Sequence, residues 1–287
     1  MPKICTPQRE LQWEACELDG DIALPITSRE LNLADTLDCG QSFRFRRTGE
    51  GEFEGVAFGK VLRLTQTADR ILFRGCGLEE FHSLWADYFD LGRDYEAIKA
   101  SYSGDETLRI ASEFAGGIRL LQQDRFETLV SFLISQNNNI PRIKGCIDRL
   151  CRTFGEQIAE EAYAFPTPER LAGLEREDLS ELSLGYRDTY ILDCARRICD
   201  GRLDLDEVDR MELEEAREAL RTVRGIGPKV AECVLLFGFH KLAAFPVDTW
   251  MKKVLAGYYP DGFPDRYQET AGVAQQYLFH YIRNAVR

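Results

Sequence analysis

The stretch Arg221 to Lys253, RTVRGIGPKVAECVLLFGFHKLAAFPVDTWMKK, decides how the rest of the chain is read. Apolar residues at Leu213, Ala216, Leu220 and Val223 recur at helical spacing and run into Gly225-Ile226-Gly227-Pro228. A second helix is expected there, because proline suits a first helical position. The pattern predicts helix, tight hairpin, helix over about 211–240. Both glycines are expected to take positive φ and to let another chain approach closely. Unpaired N–H groups at the second helix start make an anion site, and phosphate is the obvious anion. Lys229 falls in the first turn, with Cys233 one turn further along the same face. The macrodipole is positive at that end and disfavours a second positive charge, which favours the neutral amine that a nucleophile needs. Further on, Pro246-Val247-Asp248 offers a carboxylate N-cap to the next helix. An amine and a carboxylate at two helix starts can face one cleft. Taken singly, each feature has a plainer explanation: a hairpin, a solvated lysine, a helix cap.

Composition bounds the rest. The 287 residues are 44% hydrophobic and 29% charged, which is ordinary for a globular chain with a real core. No run approaches eighteen apolar residues and the opening MPKICTPQRE lacks a hydrophobic signal core, so a soluble, cytoplasmic or otherwise intracellular protein without a membrane partner is expected. Nine cysteines, from Cys5 to Cys233, form no CxxC pair and read as reduced, mostly buried small hydrophobes. His82, His240 and His280 are scattered, and no metal or other cofactor is expected.

The net charge of -12 argues against indiscriminate affinity for nucleic acid but not against a local basic face. From Gly155 to Leu220 there are 8 Lys/Arg against 19 Asp/Glu, whereas Arg221 to Lys253 carries 6 against 2 and Asn137 to Thr153 carries 4 against 1. A small positive face on an acidic body should bind DNA weakly without a specific target and with a strong dependence on salt.

Along the chain the expected fold class is α+β: an N-terminal antiparallel sheet domain, then a mostly helical domain. Gly40 to Arg46, Phe53 to Phe58, Val61 to Thr65 and Ile71 to Gly75 read as strands separated by turn residues. From Leu78 the period turns helical, with Phe81, Leu84, Trp85 and Tyr88 on one face, and a soft boundary near residue 105 separates 1–105 from 106–287. Phe126, Leu129, Val130, Leu133 and Ile134 form a stripe that stops at Asn137-Asn138-Asn139, and a helix beginning at Pro141 follows. Thr167-Pro168 and Gly201 mark further helix ends, and a last helix spans about Gln268 to Asn284.

Three further motifs carry two readings each. Asn137 to Asn139 with Arg142 is a helix end followed by an N-cap, or a polar probe that fills a vacated base position in a duplex. Gly185-Tyr186-Arg187 sets an aromatic wedge beside a guanidinium, or places a boundary aromatic. Cys39-Gly40-Gln41-Ser42-Phe43-Arg44 is a strand start with an entry glycine, or a motif with a function of its own.

The glycines, lysine and aspartate of Gly225-Ile226-Gly227-Pro228-Lys229 and Ala244-Phe245-Pro246-Val247-Asp248-Thr249 stand in the order and at the spacing of the helix-hairpin-helix DNA glycosylase superfamily, which the chain resembles. With the three motifs above, the Lys229/Cys233 pair, and Ala274-Gln275 with Phe279, it resembles one branch, the eukaryotic-type 8-oxoguanine DNA glycosylases, from about residue 30 onward. The resemblance implies a bifunctional repair enzyme, expected as a monomer, acting on double-stranded DNA that carries 8-oxoguanine opposite cytosine. Lys229 would be the nucleophile and Asp248 would stabilise positive charge on the sugar. Gly40 would offer its carbonyl to the N7–H that distinguishes the oxidised base. Cys233 and Phe279 would cover the two faces of that base, and Gln275 would meet its pairing edge. Asn137 and Tyr186 would occupy the gap, Arg142 and Arg187 would bond to the orphaned cytosine, and Gly225 and Gly227 would hold the backbone. The bland alternative for Phe279 is a core aromatic.

Two departures stand out. Trp250 occupies the place of a histidine near the DNA backbone, and Arg224 precedes the hairpin glycine where the superfamily usually has proline or an aliphatic residue. No cysteine follows Cys233, which leaves an iron–sulfur cluster of the related branch nowhere to form. The chain's end at Arg287 implies little room for added targeting regions.

Overall fold

A computed structural model describes residues 13–285; Cys5 and the expectation drawn from MPKICTPQRE lie outside the described residues. The first half is an antiparallel six-stranded sheet built from β1 (Cys16–Leu18), β2 (Asp21–Leu24), β3 (Phe45–Gly49), β4 (Glu52–Ala57), β5 (Lys60–Gln66) and β6 (Ile71–Arg74), in the spatial order β1-β2-β6-β5-β4-β3. Its two faces differ as period-2 alternation requires. Phe53 pairs with Leu64 and Leu64 with Phe73, all buried, while on the other face Glu54 pairs with Arg63 in register and as an ion pair at 2.6 Å. The apolar face is covered by a helical segment from 78 to 88, in which Phe81–Trp85 is wound more widely. Phe73 meets Phe81 and Phe89 edge to face at 5.0 and 5.6 Å, the geometry that the ring quadrupoles favour.

Two expectations about the strands are corrected. Gly40 to Arg46 is not a strand: only from Phe45 does the chain pair, and 39–44 is a loop with Gly40 at φ +90°. The loop's hydrogen bonds run to its neighbours instead. Gln41, fully buried, donates Nε2 to the carbonyls of Thr36 and Arg119, both at 2.8 Å, and accepts from the Leu121 N–H at 2.9 Å. The hairpin of β1 and β2 was not anticipated, although Leu18 and Asp21 pair around Asp19-Gly20, whose φ values of 53° and 86° fit the two-residue turn that Asp-Gly favours.

The helical half gathers around the Arg125–Ser135 helix, of which all but three residues are buried. It ends at Asn137, in the left-handed region at φ +47°, and Asn139 then caps the Ile140–Phe154 helix by accepting from the Arg142 N–H at 3.0 Å. The final helix is Ala271–Asn284; the expected start at Gln268 falls in a short 3-10 turn, Asp265–Thr270. Buried residues form two cores, one under the sheet and one among the helices.

Arg119 joins the halves. It is 2% exposed, donates to the carbonyls of Glu30 (2.9 Å) and Asp90 (2.7 Å), and lies 5.0 Å from the Trp13 ring and 4.5 Å from the Tyr95 ring. Five of the eight described cysteines are buried, Cys16 and Cys199 are exposed, and all eight are free thiols. Among the described residues no helix is long and apolar enough to cross a membrane, and no cluster of His, Cys, Asp and Glu is placed to hold a metal ion.

Replacing Arg119 by Met should leave the Glu30 carbonyl without its donor and the Asp90 carbonyl with only the long bond from the Arg93 N–H at 3.3 Å. Urea unfolding is expected to show a loss of about 3 kcal/mol, with the midpoint moved and the slope kept.

Candidate active site and DNA-facing surface

The hairpin forms between the Leu213–Arg221 helix and the Pro228–Phe237 helix. Ala216, Leu220, Val223 and Ile226 are buried beneath the turn, which fixes its direction. Gly225 turns at φ +91°, and a Cβ there would lie 2.4 Å from the Tyr190 ring, so both conformation and space exclude a side chain. Gly227 corrects the expectation of two positive φ values. It has φ −88° and ψ 178°, stands as the N-cap of the second helix, and has open space where a Cβ would go. No side chain caps that helix, so its first N–H groups remain available to an anion.

Lys229, half-buried, extends from the first turn with Nζ 5.3 Å from the centre of the Phe132 ring. Cys233 follows one turn later and is 3% exposed. Burial raises the pKa of its thiol, a hydrogen bond and the charge of Lys229 oppose that rise, and the nearby Asp248 carboxylate adds to it. The thiol therefore lies within electrostatic reach of both the amine and the acid. Asp248, half-buried, caps the Thr249–Tyr258 helix by accepting from the N–H groups of Trp250 (3.0 Å) and Met251 (2.9 Å).

Glu232, which sequence reasoning passed over, sets the loop that delivers this acid. It accepts from the Phe245 N–H at 2.7 Å and from Arg217 of the first hairpin helix. An acid three residues after the lysine, in an otherwise apolar helix, was the readable signal. Phe132, which the helical stripe of Phe126, Leu129, Val130, Leu133 and Ile134 does not include, stacks on Phe237 at 5.5 Å and meets Phe43 edge to face at 5.6 Å.

Gly40 faces the start of the Ile140–Phe154 helix, with 3.6 Å from Ile140 Cδ1 to an added Cβ. Beside it Cys39 is buried, which pushes its thiol up to about 12. Gln275 is 3% exposed, and Phe279, one turn later, is half-buried with the Arg283 guanidinium 5.0 Å from its ring centre. The neighbour of Phe279, His280, lies 3.5 Å from Asp35, on the Leu33–Asp38 helix that leads into Cys39-Gly40. That contact brings the final helix and the Gly40 loop together.

A second cluster brings together Asn137 and Tyr186, expected as polar probe and aromatic wedge, with Arg187. Tyr186 is 48% exposed, and Arg187 lies 4.6 Å from its ring centre. Arg187 is buried and donates to the main-chain carbonyls of Gln136, Asn137 and Leu184. It thus ties the 137 turn to the 184–187 turn. Arg142 is exposed, and its side chain makes no ion pair among the described residues. Trp250 is 37% exposed with the Lys253 ammonium 4.7 Å over its indole. Arg224 lies 5.6 Å from the Tyr190 ring centre. A cleft of about 1070 Å³ opens elsewhere, between the Phe58-Gly59 turn and residues 203–209, and is lined by none of the candidate residues.

The hairpin helix start without a side-chain cap, with Lys229 in its first turn and Asp248 capping the helix that follows, fits the class that the sequence resembles, the helix-hairpin-helix DNA glycosylases. The comparisons agree: residues 130–271 match the model for the HhH-GPD superfamily base excision DNA repair protein, and residues 23–129 match the 8-oxoguanine DNA glycosylase N-terminal domain. Within that class, the chain belongs to the 8-oxoguanine DNA glycosylase family of N-glycosylase/DNA lyases. It is 31% identical to a probable N-glycosylase/DNA lyase of Methanothermobacter thermautotrophicus, over 69% of this chain and 73% of that one. To the N-glycosylase/DNA lyase OGG1 of Arabidopsis thaliana it is 30% identical, over 89% of this chain and 78% of that one. A crystal structure of the Clostridium acetobutylicum 8-oxoguanine glycosylase/lyase, in complex with double-stranded DNA containing cytosine opposite 8-oxoguanine, superposes with a TM-score of 0.89 at 37% identity, covering 95% of this chain and 98% of that one.

The two hairpin glycines should respond differently to alanine. Gly225→Ala is expected to cost about 2–3 kcal/mol through its left-handed backbone and the Tyr190 contact. Gly227→Ala should cost under about 1 kcal/mol, as a poorer cap in open space. Chemical denaturation of the two variants measures the difference.

Proposed function

We propose that this chain excises 8-oxoguanine from duplex DNA with Lys229 as nucleophile and Asp248 as electrostatic partner, then nicks the strand. The observation that carries the proposal is the placement of Lys229 in the first turn of a hairpin helix with no side-chain cap, on the same helix whose Glu232 holds the loop leading into Asp248. The target base must leave the stack, at a cost of a few kcal/mol, before any of these side chains can reach its sugar. The neutral Lys229 amine then attacks C1′ as the bond from C1′ to the base breaks, and the base departs with the electron pair. Asp248, charged and fixed by two backbone donors, stabilises the positive charge that develops on the sugar. Opening of the sugar ring gives a Schiff base between Lys229 and C1′. Loss of a proton from C2′ then expels the 3′ phosphate by β-elimination.

The remaining site residues take the parts expected of them. Gly40 presents its carbonyl to N7–H, where unmodified guanine has an acceptor; a buried unpaired carbonyl is worth only about 1–3 kcal/mol, so other contacts must add to the discrimination. Phe279 and Cys233 hold the two faces of the base and Gln275 its pairing edge. Asn137 and Tyr186 take the vacated space. Arg142, with its guanidinium free, donates to the orphaned cytosine, and Arg187 adds to that contact while holding the two turns together. Gly225 and Gly227 let the hairpin backbone approach phosphate. The proposal includes action as a monomer, inside the cell where the DNA is, and a working division of the chain near residue 105.

Lys229→Gln should abolish borohydride trapping of the protein on an 8-oxoguanine duplex, and trapping that persisted would place the nucleophile elsewhere. Asp248→Asn and Asp248→Ala separate charge from capping. Asparagine caps as well as aspartate, so the first variant should keep its stability and lose excision rate by about 10²–10³-fold. The second should lose about 1 kcal/mol of stability as well. Single-turnover kinetics and thermal melting read the two effects.

A further inference from the structure

Gln275 has a neighbour that the mechanism leaves unused. Gln276 follows it on the Ala271–Asn284 helix, and both are buried, at 3% and 4% exposure. Consecutive helical residues point about 100° apart and do not normally meet. Here they do: Gln276 Nε2 donates to Gln275 Oε1 at 2.8 Å. The other end of the same amide, Gln276 Oε1, is buried and has no hydrogen-bond partner. An orphaned acceptor in a core is destabilising. A methionine or leucine would fill a similar volume without one. Packing therefore gives no reason for an amide at this position, and what the amide adds is its single bond to Gln275.

We propose that Gln276 is a positioning residue that locks the Gln275 amide in the orientation that reads a guanine-type pairing edge. This rests on the reading above, in which Gln275 meets the extruded base. A glutamine amide has an acceptor end and a donor end of nearly equal size, and a half-turn exchanges them. The guanine-type edge sets a carbonyl acceptor beside an N1–H donor. The adenine-type edge reverses that order, with an amino donor beside an N1 acceptor. Gln275 matches the first edge in one orientation and the second in the other. A half-turn of Gln275 alone would set two N–H donors against each other, and a joint half-turn of both amides would leave the whole Gln276 NH₂ buried without an acceptor, which costs more than the unpaired carbonyl, so the first orientation is favoured. The lock supplies discrimination that Gly40 cannot. 8-Oxoadenine carries the same N7–H as 8-oxoguanine, so a carbonyl aimed at that atom accepts both, and the pairing edge must tell them apart.

The test compares wild type with Gln276→Met, Gln276→Glu and Gln275→Ala. Duplexes carrying 8-oxoguanine or 8-oxoadenine in the same sequence compete for binding, and thermal melting is followed in parallel. The preference for 8-oxoguanine should fall about tenfold in Gln276→Met, the magnitude of one lost edge contact. It should fall further in Gln276→Glu, whose carboxylate only accepts and draws the Gln275 NH₂ round. A merely structural role would lower the melting temperature and weaken both duplexes alike. A preference within twofold of wild type in Gln276→Met, with Gln275→Ala lowering it, overturns the lock and leaves the Gln275 reading intact. A preference unchanged in Gln275→Ala overturns that reading and the lock with it.

Discussion

The ring of Phe132 is the contact on which the active-site geometry depends. Its face stacks on Phe237 of the hairpin's second helix, Phe43 of the Gly40 loop meets it edge to face, and Lys229 Nζ lies 5.3 Å from its centre. Each aromatic contact adds about 0.5–1.5 kcal/mol beyond the area it buries, and the two together place a loop from the sheet half and a helix from the helical half against one rigid side chain. The lysine's position is thereby set by core packing, because the helix that carries it cannot slide without unstacking Phe237.

The same helix also positions the acid. Lys229, Glu232 and Cys233 stand at i, i+3 and i+4, so they lie on neighbouring strips of one surface. Glu232 holds the Phe245 N–H, two residues before Val247 and three before Asp248, while Asp248 is held in turn by the helix it caps. An amine and a carboxylate that are distant in sequence are thus fixed from one element. Preorganisation of this kind is what electrostatic stabilisation of a developing charge requires.

Much of this was legible in the sequence because it rests on local rules. Proline at a first helical position, aspartate before a helix, glycine at a tight turn and a one-turn spacing from lysine to cysteine all act within a few residues. What escaped depends on partners far along the chain. The 39–44 loop runs directly into the Phe45 strand, so its end is not marked in the sequence, and Gln41 turns it away from the ladder by bonding to Arg119 and Leu121, some eighty residues on. Gly227 failed as a positive-φ residue because a helix N-cap requires extended backbone, which the local spacing equally allows. The β1–β2 hairpin is short and its first strand exposed, which hides its alternation, although Asp19-Gly20 marks it. The Gln276 contact joins consecutive helical residues, where helix geometry gives no reason to look for one.

Arg187 ties the tip at Asn137 to the tip at Tyr186 through carbonyls on both turns. The two tips therefore behave as the tines of one fork. On the reading proposed above, both would meet a duplex together. How often the protein samples a base pair would then be governed by the DNA's own opening fluctuations, and the search along undamaged sequence would proceed with a stiff tool.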